Sequence, residues 1–314
     1  MNSTARLAGG LALGLMLGGT AHAAEPESCK TVRFSDVGWT DITATTAATS
    51  VVLEALGYEP DVKILSVPIT YVSLKNKDID VFLGNWMPTM EADIKKYRDD
   101  GSVETVRANL EGAKYTLAVP QYTYDKGLKS FADIAKFKDE LDEKIYGIEA
   151  GNDGNRLIID MIDQNLFDLE GFEVVESSEQ GMLSQVERAT RRDKDIVFLG
   201  WAPHPMNSKF EMAYLEGGDD IFGPDYGGAT VYTNVRAGYT EECPNVGKFL
   251  NNLVFSLPME NEIMGAILND GENPDKAAAA WLKDHPATFE TWLEGVKTFD
   301  GKDSFPAVKE ALGL

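Results

Sequence analysis

One short phrase occurs twice in the chain, as Val81-Phe82-Leu83-Gly84-Asn85-Trp86-Met87-Pro88 and as Val197-Phe198-Leu199-Gly200-Trp201-Ala202-Pro203. An apolar run with β-branched and aromatic residues that ends in glycine reads as the terminus of a buried strand. Each tryptophan then falls in the turn beyond the strand's carboxyl end. In open α/β sheets that rim is where ligands bind. The repeated strand end therefore predicts two α/β lobes, each presenting an indole at its rim.

The rest of the chain supports an α/β class. Lys30–Phe34 reads as a strand, Ile42–Leu56 as a helix closed by Gly57, and Val62–Val67 as a second strand. A helix opens at Pro68, where proline suits the first turn, and Asp80–Leu83 is the third strand. This βαβαβ alternation implies parallel strands covered by helices. A second set follows: strands at Tyr115–Val119, Ile145–Glu149, Glu173–Glu176 and Ile196–Leu199, with helices at Ser130–Phe137, Arg156–Leu166 and Gln180–Arg191. Strands near Met212–Leu215 and Thr230–Val235 come next, and helices dominate from Asn245. The elements imply two α/β lobes, each a mixed, mostly parallel sheet flanked by helices. Lobe I comprises 24–113 and 206–314, and lobe II, 114–205, is inserted into it through crossings near Glu111–Lys114 and Pro205–Phe210; two lobes in tandem are the alternative.

Residues 1–23 read as a cleaved export signal. Arg6 supplies the positive start, Leu11–Leu17 a short apolar core, and Ala21-His22-Ala23 a small-x-small cleavage site. The apolar stretch is too short to span a bilayer, so a soluble exported protein is expected. The net charge of −22, from 29 basic and 51 acidic residues, disfavours nucleic acid and anionic lipid as partners. The two cysteines, Cys29 and Cys243, form an even pair in an oxidising compartment, which predicts a disulfide. With so few cysteines and histidines, neither a metal site nor a cofactor is expected.

Three of the five tryptophans, Trp39, Trp86 and Trp201, fall at rim positions, and Tyr115 stands beside the crossing into lobe II. Trp281 and Trp292 lie on C-terminal helices and are assigned to packing. Aromatic rings from two sides of a cleft form a cage, and the natural guest of such a cage is a cation. A quaternary ammonium suits ring faces because it has no N–H to donate. Asp41 adds Coulombic attraction and accepts a hydrogen bond from a ligand hydroxyl, as does Asn152. The alternative roles are a helix-start charge for Asp41 and turn chemistry for Asn152. His204 is read as a surface or hinge residue, and Glu149 and Asp153 as carboxylates without a nucleophile beside them. No Gly-x-Ser-x-Gly elbow, P-loop or His-Glu-x-x-His motif occurs.

Trp39-Thr40-Asp41, Gly84-Asn85-Trp86-Met87-Pro88, Tyr115, Gly151-Asn152-Asp153-Gly154 and Gly200-Trp201 together resemble the quaternary-amine substrate-binding proteins of bacterial ABC transporters, choline binders among them and relatives of the glycine-betaine binders. The resemblance covers essentially the whole chain beyond the signal. It implies a monomeric, two-lobe periplasmic binding protein of the type II-like kind, hinged, that closes on choline in the cleft between the lobes and docks on a membrane permease. Its ligand site would be Trp39, Trp86, Tyr115 and Trp201 as the aromatic box, with Asp41 and Asn152 as polar contacts. Glycine betaine or another trimethylammonium solute is the nearest alternative ligand. A secreted choline-ester hydrolase is a more distant one, since no nucleophile and base pair accompanies the cage.

Overall fold

The structure, a computed structural model, describes residues 25–314; the export signal read at 1–23 lies outside them. Nine strands form one hydrogen-bonded system. Strands β1 (Thr31–Asp36), β2 (Glu59–Ile64) and β3 (Val81–Met87) pair in parallel in the order β2-β1-β3, with Thr31 opposite Glu59 and Phe34 opposite Val81. The long β4 spans Val103–Pro120. Beyond it lie β5 (Lys144–Tyr146), β6 (Glu173–Val175), β7 (Val197–Ala202), β8 (Met212–Tyr214) and β9 (Gly228–Arg236). The complete order is β2-β1-β3-β9-β4-β7-β5-β6, with β8 on the edge of β4. Pairing is parallel within β2-β1-β3 and β7-β5-β6, and antiparallel where β9 and β4 join the two groups. This is the mixed α/β, two-lobe architecture that the alternation of elements predicts.

β4 is the shared spine. Its first part, from Val103 to Lys114, pairs with β9, and from Lys114 to Ala118 it pairs with β7. The register slips between Leu110 and Ala113, where Gly112 takes a φ of +75°. Such a bulge bends a strand and increases its twist. The stretch Val103–Leu110 carries no strand signal in the sequence because Glu104, Arg107 and Ala108 interrupt its apolar pattern; its pairing with β9 supplies the structure.

The helix Thr40–Ala55 is buried on nearly every side. It is built from alanine and threonine, so helices Leu257–Leu268 and Pro274–Asp284 pack closely against it. Thr45 and Thr49 donate their hydroxyls to the carbonyls of Asp41 and Thr45, at 3.0 and 2.7 Å, which satisfies polar groups with no access to water. The expected disulfide is present: Cys29 and Cys243 are bonded, fully buried and 214 residues apart in sequence. It ties the start of β1 to the segment after β9, so both ends of the first group of strands are held together. No helix among the described residues is long and apolar enough to cross a membrane.

Two local expectations are corrected. Trp86 and Trp201 do not lie in turns beyond their strands; both are within them, in β3 and β7. The glycine of the repeated phrase marks close packing rather than a strand end. A Cβ on Gly84 would sit 2.8 Å from the Ile42 side chain, and one on Gly200 would sit 2.9 Å from Ala118 Cβ.

Candidate ligand-binding site

The six residues singled out in the sequence converge. Trp39, Asp41, Trp86, Tyr115, Asn152 and Trp201 all line one cavity of about 270 Å³, with Ile148 and Asp153 completing the wall.

The side chains arrive from five places in the fold, Trp39 and Asp41 together from one helix start. Trp39 is the N-cap of helix Thr40–Ala55, which places Asp41 in its first turn. Trp86 comes from the end of β3. Tyr115 and Trp201 stand directly opposite each other on β4 and β7. Asn152 caps helix Asp153–Asp163, accepting from the Asn155 N–H at 3.1 Å. The rings form a connected run: Trp86 and Tyr115 centroids are 6.1 Å apart at 63°, and those of Tyr115 and Trp201 are 6.2 Å apart at 84°. These are edge-to-face arrangements favoured by the ring quadrupole.

Polar edges of three rings are already engaged. The Trp86 Nε1–H donates to Asp41 Oδ2 at 3.2 Å, Trp39 Nε1–H to Glu149 Oε1 at 2.8 Å, and the Tyr115 hydroxyl to Asn152 Oδ1 at 2.9 Å. The cavity is therefore offered ring carbons and acceptor oxygens rather than donors. Asn152 serves both of the roles open to it from sequence, helix cap and cavity wall, while its Nδ2 donates to Asp153 Oδ1 at 3.2 Å.

Carboxylates dominate the electrostatics. Burial, then the charge of Glu179, pushes Asp41 up to about 8, although the Trp86 N–H favours its ionised form. Burial raises Glu149 to about 7 against the opposing Trp39 hydrogen bond. It raises Asp153 to about 6, opposed by Thr89. Asp41 Oδ1 and Asp153 Oδ2 are buried with no hydrogen-bond partner. No lysine or arginine lines the cavity.

A second layer joins the two strand groups behind this wall. Glu179, at the start of helix Glu179–Thr190, accepts from the Thr40 N–H at 2.8 Å and the Thr40 hydroxyl at 2.6 Å. His204 Nδ1 accepts from the Met206 N–H at 2.9 Å, which assigns the ring proton to Nε2; Nε2 donates to Glu179 Oε1 at 3.0 Å. The sequence reading of His204 as a surface residue is thus corrected: it is buried and packs edge-on against Trp201 at 4.8 Å. Arg156 bridges further out, donating to the Thr89 carbonyl at 3.1 Å and to Asp93 Oδ2 at 2.8 Å.

Glu149, Asp153 and Glu179 were not among the predicted site residues. Asp153 carried one signal, its place beside Asn152 at a helix start; Glu179 carried none, because its partners are distant in sequence. Trp292 is buried in packing, and Trp281 stacks on His285, as assigned.

Residues 30–284 match the family described as OpuAC, substrate binding domain of ABC-type glycine betaine transport system. Among solved structures, the chain is similar to an ABC-transporter choline binding protein in complex with choline, at 73% identity over 92% of this chain and 100% of that one, with a TM-score of 0.91. It is also similar to an ABC-transporter choline binding protein in an unliganded semi-closed conformation, at the same identity and coverage, with a TM-score of 0.85. Lactococcal OpuAC, in its closed-liganded conformation with glycine betaine, is 25% identical over 84% of this chain and 99% of that one, with a TM-score of 0.76.

Proposed function

Because this chain belongs to the family of substrate-binding domains of ABC-type glycine betaine transport systems, we propose that it captures choline reversibly and delivers it to the permease of an ABC importer. No bond is made or broken. One observation carries the choice of ligand: three indoles and a tyrosine share a small cavity with buried, unpartnered carboxylate oxygens and no cationic side chain. Desolvated cation–π contacts contribute about 2 kcal/mol each, so four rings approach the roughly 8 kcal/mol of micromolar binding. The carboxylate of glycine betaine would meet Asp41 and Asp153 with no fixed positive charge to receive it. The choline-bound relative, at 73% identity, supports the same choice.

Closure brings Trp201 and Tyr115 onto Trp39 and Trp86. The lobe boundaries we propose are 24–113 with 206–314 and 114–205, with the Gly112 bulge in β4 as one hinge. Action in the periplasm, after removal of residues 1–23, completes the reading. Titration with choline followed by tryptophan fluorescence tests it, with acetylcholine and glycine betaine as competitors. Saturable quenching or enhancement at micromolar choline is expected; no response at millimolar choline overturns it.

A further inference from the structure

The wall of the cavity poses a charge problem that the aromatic box does not explain. Asp41 and Asp153 both line the cavity, and each has a buried carboxylate oxygen without a hydrogen-bond partner. Asp41 is faced by the Trp86 N–H from β3, by Glu179 from helix Glu179–Thr190 and by Glu260 from helix Leu257–Leu268. Asp153 is faced by Asp93 from helix Glu91–Asp99 and by Arg156 of its own helix, whose guanidinium is committed to Asp93 at 2.8 Å. Glu149 lies within reach of both Asp153 and Glu179. Asp41, Glu149, Asp153 and Glu260 make no ion pair among the described residues, and the histidine on Glu179 is the neutral Nε2–H tautomer. Buried like charges without a counter-ion do not all stay ionised; they take up protons instead.

We infer that the cage takes its cation in exchange for a proton that its two aspartates, Asp41 and Asp153, hold while the cavity is empty. This rests on the choline reading of the site. The charge balances at one proton released for each cation bound, drawn from whichever of the two carboxyls is protonated at the working pH. The exchange also makes the two aspartates selectivity residues. Ionised, they attract choline and repel a zwitterion's carboxylate; protonated, they can donate hydrogen bonds to that carboxylate. Rising pH therefore strengthens choline binding and weakens glycine betaine binding, with the window running from about pH 6, set by Asp153, to about 8, set by Asp41.

Calorimetric titration of the intact protein with choline, at pH 7.5 in phosphate and in Tris and at pH 6 in phosphate and in bis-tris, reads the exchange directly, because the buffer takes up the released protons and adds its own protonation heat. Up to about one proton released per choline is expected, with affinity rising several-fold per pH unit toward pH 8. Asp41→Asn should lower the number of protons released at pH 7.5, and Asp153→Asn the number released at pH 6, whatever they do to affinity. Heats identical in the two buffers, with saturable choline binding intact, overturn the exchange and leave the choline reading standing. Proton release unchanged in both variants also overturns it. Absence of any choline response at every pH removes the choline reading and the exchange together.

Discussion

Glu179 takes both the backbone N–H and the hydroxyl of Thr40, at 2.8 and 2.6 Å, behind the cavity wall. The first free N–H of helix Thr40–Ala55 is thereby capped by a carboxylate from the other group of strands, where the helix dipole favours negative charge. In the closure proposed above, the contact forms only as the two lobes meet, so it would act as a latch.

Glu179→Ala should weaken choline binding about ten- to a hundredfold, since hydrogen bonds to charged groups contribute about 1.5–3 kcal/mol. Thermal stability of the ligand-free protein should change little, because an opened cleft lets water replace the lost contacts. Small-angle scattering without ligand should show a larger radius of gyration than the unaltered protein. An unchanged radius and affinity would refute the latch.

The two classes of tryptophan should separate cleanly. Trp86→Ala or Trp201→Ala is expected to cost choline affinity roughly thirtyfold or more, from the loss of about 2 kcal/mol of desolvated cation–π attraction. Trp292, buried and donating its Nε1–H to the Val254 carbonyl at 3.1 Å, should behave in the opposite way. Trp292→Ala should lower stability by about 3–5 kcal/mol, with near-native affinity in the fraction that remains folded. Equal affinity losses in both classes would contradict the site assignment.

Gly154 gives a test of ring position without removing a ring. A Cβ there would lie 2.0 Å from the Tyr115 hydroxyl oxygen and 2.7 Å from its Cζ. The Tyr115 ring is buried and cannot swing clear, so Gly154→Ala should displace it from the cage. Loss of choline affinity exceeding any loss of stability is the expected outcome of paired binding and melting measurements.

Stability of the empty protein should fall between about pH 5 and pH 8. Asp41, Glu149 and Asp153 are held above their ordinary values in the folded state, so the native protein binds more protons than the unfolded chain across that window. Stability is then fully present below the ordinary carboxylate range and declines as pH rises through the folded values, by up to about 1.4 kcal/mol per group per pH unit. Denaturant melts at pH 5 and 8 check the sign; a stability that rises over this interval would exclude it.

Cys29 and Cys243 are 214 residues apart and close a loop that contains all nine strands described. Replacing both with serine should cost about 2–5 kcal/mol, read as a lower melting temperature. Choline affinity should be nearly unchanged, because neither cysteine lines the cavity.

Sequence alone determined the α/β class, the disulfide and the composition of the cage, because strand and helix periodicity, an even cysteine pair and unexplained rim aromatics are local signals. The tertiary structure decided what the residues do together. Trp86 and Trp201 proved to lie inside strands, since pairing with β9 and β4 extends β3 and β7 past the glycine where the apolar run stops. The strand at Val103–Leu110 exists through its neighbour alone. Glu149, Asp153 and Glu179 gained their meaning only in three dimensions. A carboxylate's burial, its lack of a counter-ion and its partner across a cleft depend on chain segments far away in sequence, and no local pattern encodes them.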